Sequence, residues 1–366
     1  MMIIFAAGGT GGHFIPAMSV AREIRKANPD ARLLFMGTGK RFELEACRKE
    51  SMEHLKVPSG PLRRGTVLAN LMLPFETMLG TLYCAGKMIR MRPDTLVSMG
   101  GYPSVPPFFS ALLLGVPTIV HEQNAEPGIA SRLEALFCEE TCLSYDISMM
   151  YIRGKGKVSV TGNPATPSRE EVDEARRKRK RKGFNLLVMG GSQGAHAINE
   201  VVTRYLIEAG TVSWGRVYFQ TGYSDYERVK GLLAGVGDSV LIEPFFHDMR
   251  EVYSQVDVAV TRAGATTIAE LSGWGIPAVL IPYPFSTGGH QKKNAQMMEA
   301  GGAACVVEQS LFNHRRLARL LDEITRDPKR WKKMSESSSK MARPEAARDI
   351  ALKVLNMSST ERRRWW

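Results

Sequence analysis

The chain has 366 residues, of which 44% are hydrophobic and 23% charged, and this composition excludes a largely disordered protein. Its length favours two domains over one. Much of the formal charge of +12 lies in an unbroken basic run from Arg176 to Lys182. Such a run is typical of a solvated linker, and it lacks the interleaved aromatic residues of a nucleic-acid-binding surface.

The five cysteines form no Cys-x-x-Cys pair, so we expect neither a disulfide framework nor a zinc site. The apolar residues 1–7 follow no basic segment and end at Gly8 and Gly9, which argues against a signal peptide. Both observations favour a protein of the reducing cytoplasm.

Short apolar runs alternate with helical patterns along the chain. In the first half, strands are predicted at Ile3–Ala7, Leu33–Met36, Leu96–Ser98, Thr118–His121 and Val158–Thr161. In the second half, they are predicted at Leu186–Met189, Val217–Gln220, Val240–Ile242, Val256–Thr261 and Ala278–Pro282. Alternation of strands with helices is typical of βαβ units. We therefore predict an α/β protein with two Rossmann-like lobes, each built on a parallel sheet.

A segment between the second and third predicted strands is unusually apolar. Apolar residues recur at helical spacing between basic ones: Leu68, Leu71, Met72, Phe75, Met78, Leu79 and Leu82, flanked by Arg63, Arg64, Lys87, Arg90 and Arg92. This pattern predicts an interfacial helix that binds an anionic membrane surface. A core helix of the first lobe is the alternative. Prolines, glycines and charges inside the segment argue against a membrane-spanning helix.

Two glycine-rich loops occupy matching positions in the two halves. They are Gly8-Gly9-Thr10-Gly11-Gly12-His13 and Gly190-Gly191-Ser192-Gln193-Gly194-Ala195-His196. A glycine-rich turn that opens a helix offers backbone N–H groups to an anion, although it can also serve only tight strand-to-helix packing. Neither loop has the dinucleotide spacing or the P-loop signature, and no acidic residue ends the second strand of either half. Binding of NAD or of a P-loop nucleotide is therefore disfavoured.

The boundary between the lobes is predicted at Gly162-Asn163-Pro164, ahead of the basic run. Arg343-Pro344 interrupts the last helical region, so a final helix from Glu345 to Met357 is expected to cross back to the first lobe. The predicted domains are therefore residues 1–163 together with 344–366, and residues 164–343.

A third candidate site begins where the strand Val256–Thr261 ends. Gly264 turns the chain there, and Glu270 shares a face of the next helix with Thr266 and Thr267. A carboxylate beside a phosphate-binding loop suits the vicinal hydroxyls of a ribose; a solvent-facing helix glutamate is the alternative. The loop at residues 287–291 adds hydrogen-bonding groups or is an ordinary surface loop.

Taken together, these motifs resemble the MurG family of peptidoglycan glycosyltransferases. Seven motifs stand in that family's order: Gly8-Gly9-Thr10-Gly11-Gly12-His13, Gly100-Gly101-Tyr102-x-Ser104-x-Pro106, His121-Glu122-Gln123-Asn124, Gly162-Asn163-Pro164, Gly190-Gly191-Ser192-Gln193-Gly194-Ala195, Arg262-x-Gly264-Ala265 and His290-Gln291-x-x-Asn294-Ala295. The resemblance implies a GT-B fold, in which two Rossmann-like lobes face each other across a cleft, and inversion at the sugar's anomeric carbon.

The resemblance also implies the substrates and the cellular location. The donor is UDP-N-acetylglucosamine, and the acceptor is the C4 hydroxyl of undecaprenyl-linked N-acetylmuramyl-pentapeptide, lipid I, which becomes lipid II. The expected location is peripheral, on the cytoplasmic face of the bacterial plasma membrane. No nucleic acid is expected as a partner.

The family's site residues carry over by position. In the C-terminal lobe, the resemblance implies that Ser192 and Gln193 touch the diphosphate or sugar, Phe246 presents its backbone to uracil, Ala265, Thr266 and Thr267 line the phosphates, Glu270 takes the ribose and Gln291 meets the sugar hydroxyls. In the N-terminal lobe, it implies that Thr10, Gly11, Gly12 and Asn124 face the acceptor and reacting centre and complete the donor-binding set.

The chain departs from the family pattern at two positions. Thr166 stands where the family often has an arginine near the donor phosphates, which leaves Arg262 and Arg169 as candidates for neutralising phosphate charge. His290 stands where some relatives have a glutamine, so its contact with the donor is left open.

The chemistry expected of such a site needs a base and a stabilised leaving group. No Asp-x-Asp motif occurs, so we expect no metal and no cofactor, and helix N-termini are expected to stabilise the UDP instead. A histidine titrates near neutrality, and His13 lies at the mouth of the first loop, where it is expected to act as the base. Glu122 is the rival base, and a histidine that only bonds backbone is the other interpretation of His13.

Other functions fit parts of the sequence. A related transferase that acts on diacylglycerol would share the expected fold, and a non-catalytic nucleotide-sugar-binding subunit would keep the same loops. A nicotinamide-dependent oxidoreductase lacks its ribose-binding acid here, and the basic run makes a poor nucleic-acid footprint.

Overall fold

A computed structural model describes residues 1–60, 72–178, 183–191, 194–209 and 215–361. The chain divides into two compact units: an N-terminal domain of Met1–Ala165 with Glu345–Trp366, and a C-terminal domain of Thr166–Pro344. These divisions lie within two residues of the predicted domain boundaries.

The N-terminal domain alternates strands and helices. Its elements before the boundary are β1 (Met2–Ala6), α1 (Gly11–Ala27), β2 (Arg32–Gly37), α2 (Arg41–Lys49), β3 (Glu53–Lys56), α3 (Leu73–Met91), β4 (Thr95–Ser98), α4 (Val105–Leu113), β5 (Thr118–Glu122), α5 (Ile129–Glu134), β6 (Glu140–Leu143) and β7 (Lys157–Val160). Short 3-10 turns cover Tyr102–Ser104 and Asp146–Tyr151.

The C-terminal domain repeats this alternation. Its elements are α6 (Arg169–Lys178), β8 (Asn185–Met189), α7 (His196–Ala209), β9 (Arg216–Gln220), α8 (Tyr226–Leu232), β10 (Val240–Glu243), α9 (Met249–Gln255), β11 (Val258–Thr261), α10 (Ala265–Trp274), β12 (Ala278–Leu280), α11 (His290–Ala300), β13 (Ala304–Val306), α12 (His314–Thr325) and α13 (Pro328–Met341). Further 3-10 turns cover Thr287–Gly289 and Gln309–Leu311.

Each domain contains one parallel sheet. The strand orders are β3-β2-β1-β4-β5-β6-β7 in the N-terminal domain and β10-β9-β8-β11-β12-β13 in the C-terminal domain. The order reverses at β1 and β4 in one sheet and at β8 and β11 in the other. Ligands bind beyond the carboxyl ends of strands at such a reversal, so the topology places both glycine-rich loops at a ligand-binding edge.

Both faces of the N-terminal sheet are buried. Helix α1 and the final helix α14 (Ala346–Glu361) cover one face, and α3 and α4 cover the other. Under α1 and α14, the rings of Phe5 and Phe35 stack with their centres 5.0 Å apart. On α14, Ile350 and Val354 are fully buried in the core, and Lys353 Nζ lies 2.6 Å from a carboxylate oxygen of Glu140. The last helix therefore completes the N-terminal domain.

All ten predicted strands overlap an observed strand, which confirms the α/β class with two Rossmann-like parallel sheets. Three observed strands, β3, β6 and β13, had not been predicted. In the part of the chain that the structure describes, no helix combines the length and the apolar character needed to cross a bilayer.

Candidate active site

The glycine-rich loop of the N-terminal domain connects β1 to α1. Gly9 has a φ of 81°, a value that glycine adopts without strain. Thr10 is the exposed N-cap residue, and Gly11 and Gly12 begin the helix. The start of α1 therefore brings backbone N–H groups and the positive end of a helix dipole to the ligand-binding edge of the sheet.

The buried carboxylate of Glu43 holds this loop in place. Its Oε1 accepts hydrogen bonds from Gly9 N at 2.8 Å and the Thr38 hydroxyl at 2.6 Å, and its Oε2 accepts from Gly39 N at 2.9 Å and His54 Nε2 at 3.1 Å. Burial alone would raise the pKa of Glu43, but these hydrogen bonds together outweigh it and lower the pKa to about 2. Glu43 was missed in the sequence because it stands in no motif.

Glu43→Gln is expected to destabilise the N-terminal domain by on the order of 3 kcal/mol at neutral pH. Because the pKa of Glu43 falls from 4.5 to about 2 on folding, its contribution is complete above pH 4.5 and is lost as the pH falls toward 2. Stability of the variant should therefore depend less on pH across that window, as measured by hydrogen exchange in the N-terminal domain. Parallel pH profiles for the two proteins would contradict this.

The His13 ring, on the first turn of α1, is held through Nδ1. This nitrogen lies 3.0 Å from the backbone oxygen of Met99 and 2.9 Å from Oε1 of Gln123. Both partners accept hydrogen bonds, which assigns the proton to Nδ1 and the lone pair to Nε2. Nε2 lies beside Gly101, where a Cβ atom would approach it to 3.0 Å. In this tautomer the ring is able to take a proton from a hydroxyl at Nε2.

Glu122, the rival base, is 2% exposed at the end of β5. Its Oε1 accepts from the backbone N and Nδ2 of Asn124 at 2.8 and 2.9 Å, and its Oε2 accepts from Gly128 N at 2.9 Å. Both oxygens are therefore engaged in holding the loop after β5. The side-chain hydrogen bonds of His13 to other described residues both use Nδ1. This geometry favours His13 over Glu122 as the base.

In the C-terminal domain, Gly264 caps the N-terminus of α10 and residues 265–267 form its first turn. The N–H groups of a first turn have no partner within their helix, which suits phosphate binding. Glu270 follows in the second turn, and its Oε2 accepts a hydrogen bond from the Tyr253 hydroxyl at 3.0 Å. Burial raises the pKa of Glu270 to about 7, although this hydrogen bond opposes the rise.

Gln220, at the end of β9, connects two loops that were predicted to bind the donor. Its Nε2 donates to the backbone oxygen of Gly191 at 3.2 Å, and its Oε1 accepts from the backbone N–H of Phe246 at 2.9 Å. Gln220 engages this N–H, and the contact between the Phe246 backbone and uracil stays a prediction. Ser192 and Gln193 lie outside the described residues.

Arg262 is 8% exposed, and its guanidinium makes contacts within the domain. Nη1 donates to Ile281 O at 3.1 Å, Nη2 donates to Gln309 Oε1 at 2.7 Å, and the group lies 5.3 Å from the centre of the Tyr283 ring. Gln291, in the first turn of α11, accepts from Tyr283 N at 2.9 Å. Arg262 thus holds the chain after β12, and its contact with donor phosphate stays a prediction.

The predicted residues fall into one group in each domain. The N-terminal group lies at or just beyond the ends of β1 and β5 and contains Thr10, Gly11, Gly12, His13, Glu122 and Asn124. The C-terminal group lies beyond the ends of β10, β11 and β12 and contains Phe246, Arg262, Ala265, Thr266, Thr267, Glu270, His290 and Gln291. Among the residues that the structure describes, no group of three or more His, Cys, Asp or Glu side chains is placed to hold a metal ion.

The apolar helix α3 has two faces. Cys84 and Met88 are buried, whereas Met72, Phe75 and Leu79 are 55%, 51% and 48% exposed. The exposed side continues into an apolar groove against α4, lined by Met78, Leu82, Phe109 and Leu113. One helix therefore combines the core position of one interpretation with the exposed apolar face that the other requires. Four more residues of the predicted membrane surface lie outside the described residues: Arg63, Arg64, Leu68 and Leu71.

Three more polar residues touch the predicted site residues without having been assigned a role in the sequence. Gln123 contacts His13, Gln220 contacts Phe246, and Tyr253 contacts Glu270. The two glutamines stand at or just after the end of a predicted strand, a position at which a parallel sheet presents ligand-binding groups. Tyr253 gives no comparable signal, since it lies inside α9.

Comparison with known proteins places both domains in one class of enzyme. Residues 3–142 match the glycosyltransferase family 28 N-terminal domain, and residues 185–350 match the glycosyltransferase family 28 C-terminal domain. With their two Rossmann-like sheets, these domains define a glycosyltransferase of the GT-B fold.

Relatives that match this chain along nearly its whole length identify the family within this class of enzyme. The UDP-N-acetylglucosamine--N-acetylmuramyl-(pentapeptide) pyrophosphoryl-undecaprenol N-acetylglucosamine transferase of Chlorobium limicola is 35% identical, over 98% of this chain and 100% of its own. The enzyme of the same name from Halothermothrix orenii is 35% identical over 94% of this chain and 95% of its own. The crystal structure of Acinetobacter baumannii MurG shares the fold, with a TM-score of 0.74 at 24% identity over 97% of this chain and 99% of that one. The chain belongs to the MurG family.

Proposed function

We propose that the protein transfers N-acetylglucosamine from UDP-N-acetylglucosamine to undecaprenyl-linked N-acetylmuramyl-pentapeptide, the step from lipid I to lipid II in peptidoglycan synthesis. The observation that carries this proposal is the 35% identity to the Chlorobium limicola transferase over 98% of this chain and all of that one. Similarity in both domains supports a complete transferase, because donor and acceptor contacts are expected in different domains.

In the proposed reaction, Nε2 of His13 takes the proton of the C4 hydroxyl on the N-acetylmuramyl sugar. The hydroxyl oxygen attacks the anomeric carbon of N-acetylglucosamine on the side opposite the UDP. A glycosidic C–O bond forms as the C–O bond to the diphosphate breaks, and the electron pair leaves with UDP. Attack from the opposite side inverts the configuration at that carbon.

The leaving diphosphate gains negative charge, which the protein has to stabilise. The first turn of α10 brings backbone N–H groups and the positive end of a helix dipole to the end of β11. Support for a reaction without a divalent metal or a cofactor comes from the sequence, which contains no Asp-x-Asp motif. Activity should therefore be the same with and without EDTA.

An acceptor assay tests the proposal directly. The purified protein, given UDP-N-acetylglucosamine and a short-chain lipid I analogue, is expected to release UDP and form the disaccharide product. Transfer to diacylglycerol instead would identify the related lipid transferase. Donor binding with no product from either acceptor would identify a non-catalytic subunit.

The exposed face of α3 supports peripheral attachment to the anionic cytoplasmic leaflet of the plasma membrane. Its half-exposed apolar side chains suit insertion at the level of the lipid headgroups, and Lys87 and Arg90 near the end of the helix suit anionic lipid. Because an undecaprenyl chain stays in the bilayer, an attached N-terminal domain would meet its acceptor at the membrane surface.

Replacing both Phe75 and Leu79 with serine is expected to weaken binding to anionic liposomes by about 2 kcal/mol, because each half-exposed side chain would lose part of its burial in lipid. Thermal unfolding should stay cooperative, since neither side chain belongs to the core. Ile207→Ser, at a site in the other domain that is 51% exposed, is the matched control. Unchanged liposome binding, or loss of folding, would contradict the membrane role.

A further inference from the structure

The hydrogen bonds behind His13 form a chain inside the N-terminal domain. His13 Nδ1 lies 2.9 Å from Gln123 Oε1, Gln123 Nε2 lies 3.1 Å from His121 Nδ1, and His121 Nε2 lies 2.9 Å from the backbone oxygen of Gly162. Gln123 is 2% exposed and His121 is fully buried. Solvent therefore competes little for these bonds, and each is stronger than it would be at the surface.

Backbone carbonyl groups fix the direction of every bond in the chain. Gly162 O only accepts, so His121 carries its proton on Nε2 and offers a lone pair at Nδ1. The Nε2 atom of Gln123 lies 3.0 Å from Met99 O and 3.1 Å from His121 O, and two such acceptors require an amide nitrogen there. The amide oxygen of Gln123 must then face His13. One arrangement of protons is compatible with all of these contacts, with the two N–H groups of the Gln123 amide shared among three acceptors and the Nδ1–H group of His13 shared between two.

The charge state of His121 matters because a protonated ring would direct an Nδ1–H group at the amide nitrogen of Gln123, which is itself a donor. Burial lowers the pKa of His121 to about 4, although the bond to Gly162 opposes this change. His121 is therefore neutral at physiological pH, and it keeps the Gln123 amide in the orientation described.

We propose that Gln123, itself oriented by His121, is a positioning residue that locks His13 in the tautomer with Nδ1 protonated and Nε2 open to the acceptor hydroxyl. This inference rests on the proposed role of His13 as the base. In the other tautomer, the Nδ1 lone pair would face two oxygen atoms, Met99 O and Gln123 Oε1, and both bonds would be lost.

The amide suits this task better than a carboxylate would. When Nε2 takes a proton, Nδ1–H keeps both of its acceptors, so the ring does not have to turn during the reaction. A carboxylate in the place of Gln123 would add negative charge and favour the protonated ring before substrate binds. The neutral amide therefore orients the His13 ring without favouring its protonated form.

Gln123→Met keeps the length of the side chain and removes both the acceptor and the donor. We expect kcat to fall by about 10- to 100-fold, the range seen when a partner that orients a functional histidine is removed. Affinity for UDP-N-acetylglucosamine, measured by calorimetry, should stay the same. Gln255→Met, on α9 of the other domain, is the matched control and should leave kcat unchanged.

Two measurements separate positioning from a general structural role. In 15N spectra of protein labelled in its histidine rings, the His13 signal can be assigned by its loss in His13→Ala. The wild-type signal should report a single neutral tautomer with Nδ1 protonated. The Gln123→Met signal should report a mixture of the two neutral tautomers. In a double-mutant cycle, Gln123→Met should not slow the enzyme further once His13 is alanine.

A wild-type spectrum with Nε2 protonated, or equal slowing by Gln123→Met with and without His13, would overturn the inference. The wild-type spectrum can be measured without any substitution at Gln123. It therefore tests the tautomer of His13 even if the Gln123→Met variant fails to fold. A different result would show that His13 is not the base. In that case His13→Ala would keep the wild-type kcat, whichever tautomer the wild-type spectrum reports.

Discussion

Replacing His13 with alanine is expected to lower kcat by about 100- to 10,000-fold, the usual contribution of a general base, and to leave donor affinity nearly unchanged. The contacts of the His13 ring lie in the N-terminal domain, whereas the residues predicted to hold uridine and diphosphate lie in the C-terminal domain. Single-turnover rates at saturating substrate measure the chemical step, and calorimetry with UDP-N-acetylglucosamine measures donor binding separately.

The pH profile distinguishes a base from a binding residue. Only the neutral ring accepts a proton at Nε2, so the wild-type rate should fall on the acid side, and His13→Ala should lose that limb. His314→Ala removes a histidine of the other domain that lies 3.0 Å from Glu208, and it should keep the limb. A His13→Ala variant that retains the limb and loses only acceptor affinity would make His13 a binding residue and Glu122 the base.

Burial distinguishes the strands that could be predicted from the sequence from those that could not. β1 is apolar throughout and β8 is apolar after its first residue, because helices cover both faces of each sheet, and such runs are easily recognised. β3 and β13 lie at sheet edges, are three or four residues long and carry half-exposed or exposed positions. β6 contains Glu140 and Thr141, whose polar groups interrupt the apolar pattern although both are buried.

The position of the candidate residues at the ends of the strands could be predicted, but their side-chain partners could not. Glycine-rich turns after strands, together with the family motifs, indicate one edge of each sheet, because the topology of a parallel sheet places the turns after its strands at the same edge. The pair His13 and Gln123 is separated by 110 positions in the sequence, and Gly9 and Glu43 by 34. Such pairs depend on how helices pack on a sheet, to within fractions of an ångström, and sequence spacing carries no such information.

The same limit applies to groups whose hydrogen bonds are made inside the protein. Arg262 is a candidate for neutralising phosphate charge because Thr166 stands where the family often has an arginine, and its guanidinium donates to Ile281 O and to Gln309. The Phe246 backbone is a candidate for uracil, and its N–H donates to Gln220. A buried donor must find an acceptor, and which acceptor it meets is decided by the tertiary structure.

Glu270→Ala is expected to weaken UDP-N-acetylglucosamine binding by about 1.5 to 3 kcal/mol for each charged hydrogen bond to ribose that is lost. Tyr253 occupies one side of the carboxylate at Oε2, and Oε1 is then the oxygen best placed for a ribose hydroxyl. UDP should lose more affinity than its 2',3'-dideoxy analogue. Glu336→Ala, at an exposed position on α13, is the control. Equal losses for UDP and the analogue would remove Glu270 from the ribose.

The raised pKa of Glu270 adds a dependence on pH that the substitution should abolish. The folded value of about 7 lies above the ordinary 4.5, so the free protein binds more protons than the unfolded chain between these values and loses stability as the pH rises through them. Two ribose hydroxyls donate best to a carboxylate, so donor binding below about pH 7 should release a proton, and affinity should rise up to that pH and then level off. The donor's diphosphate, esterified at both ends, keeps its charge throughout. Glu270→Gln should bind weakly and without this slope, and calorimetry in buffers of different ionisation enthalpy should detect no proton release; a slope that survives in the variant would assign the proton to another group.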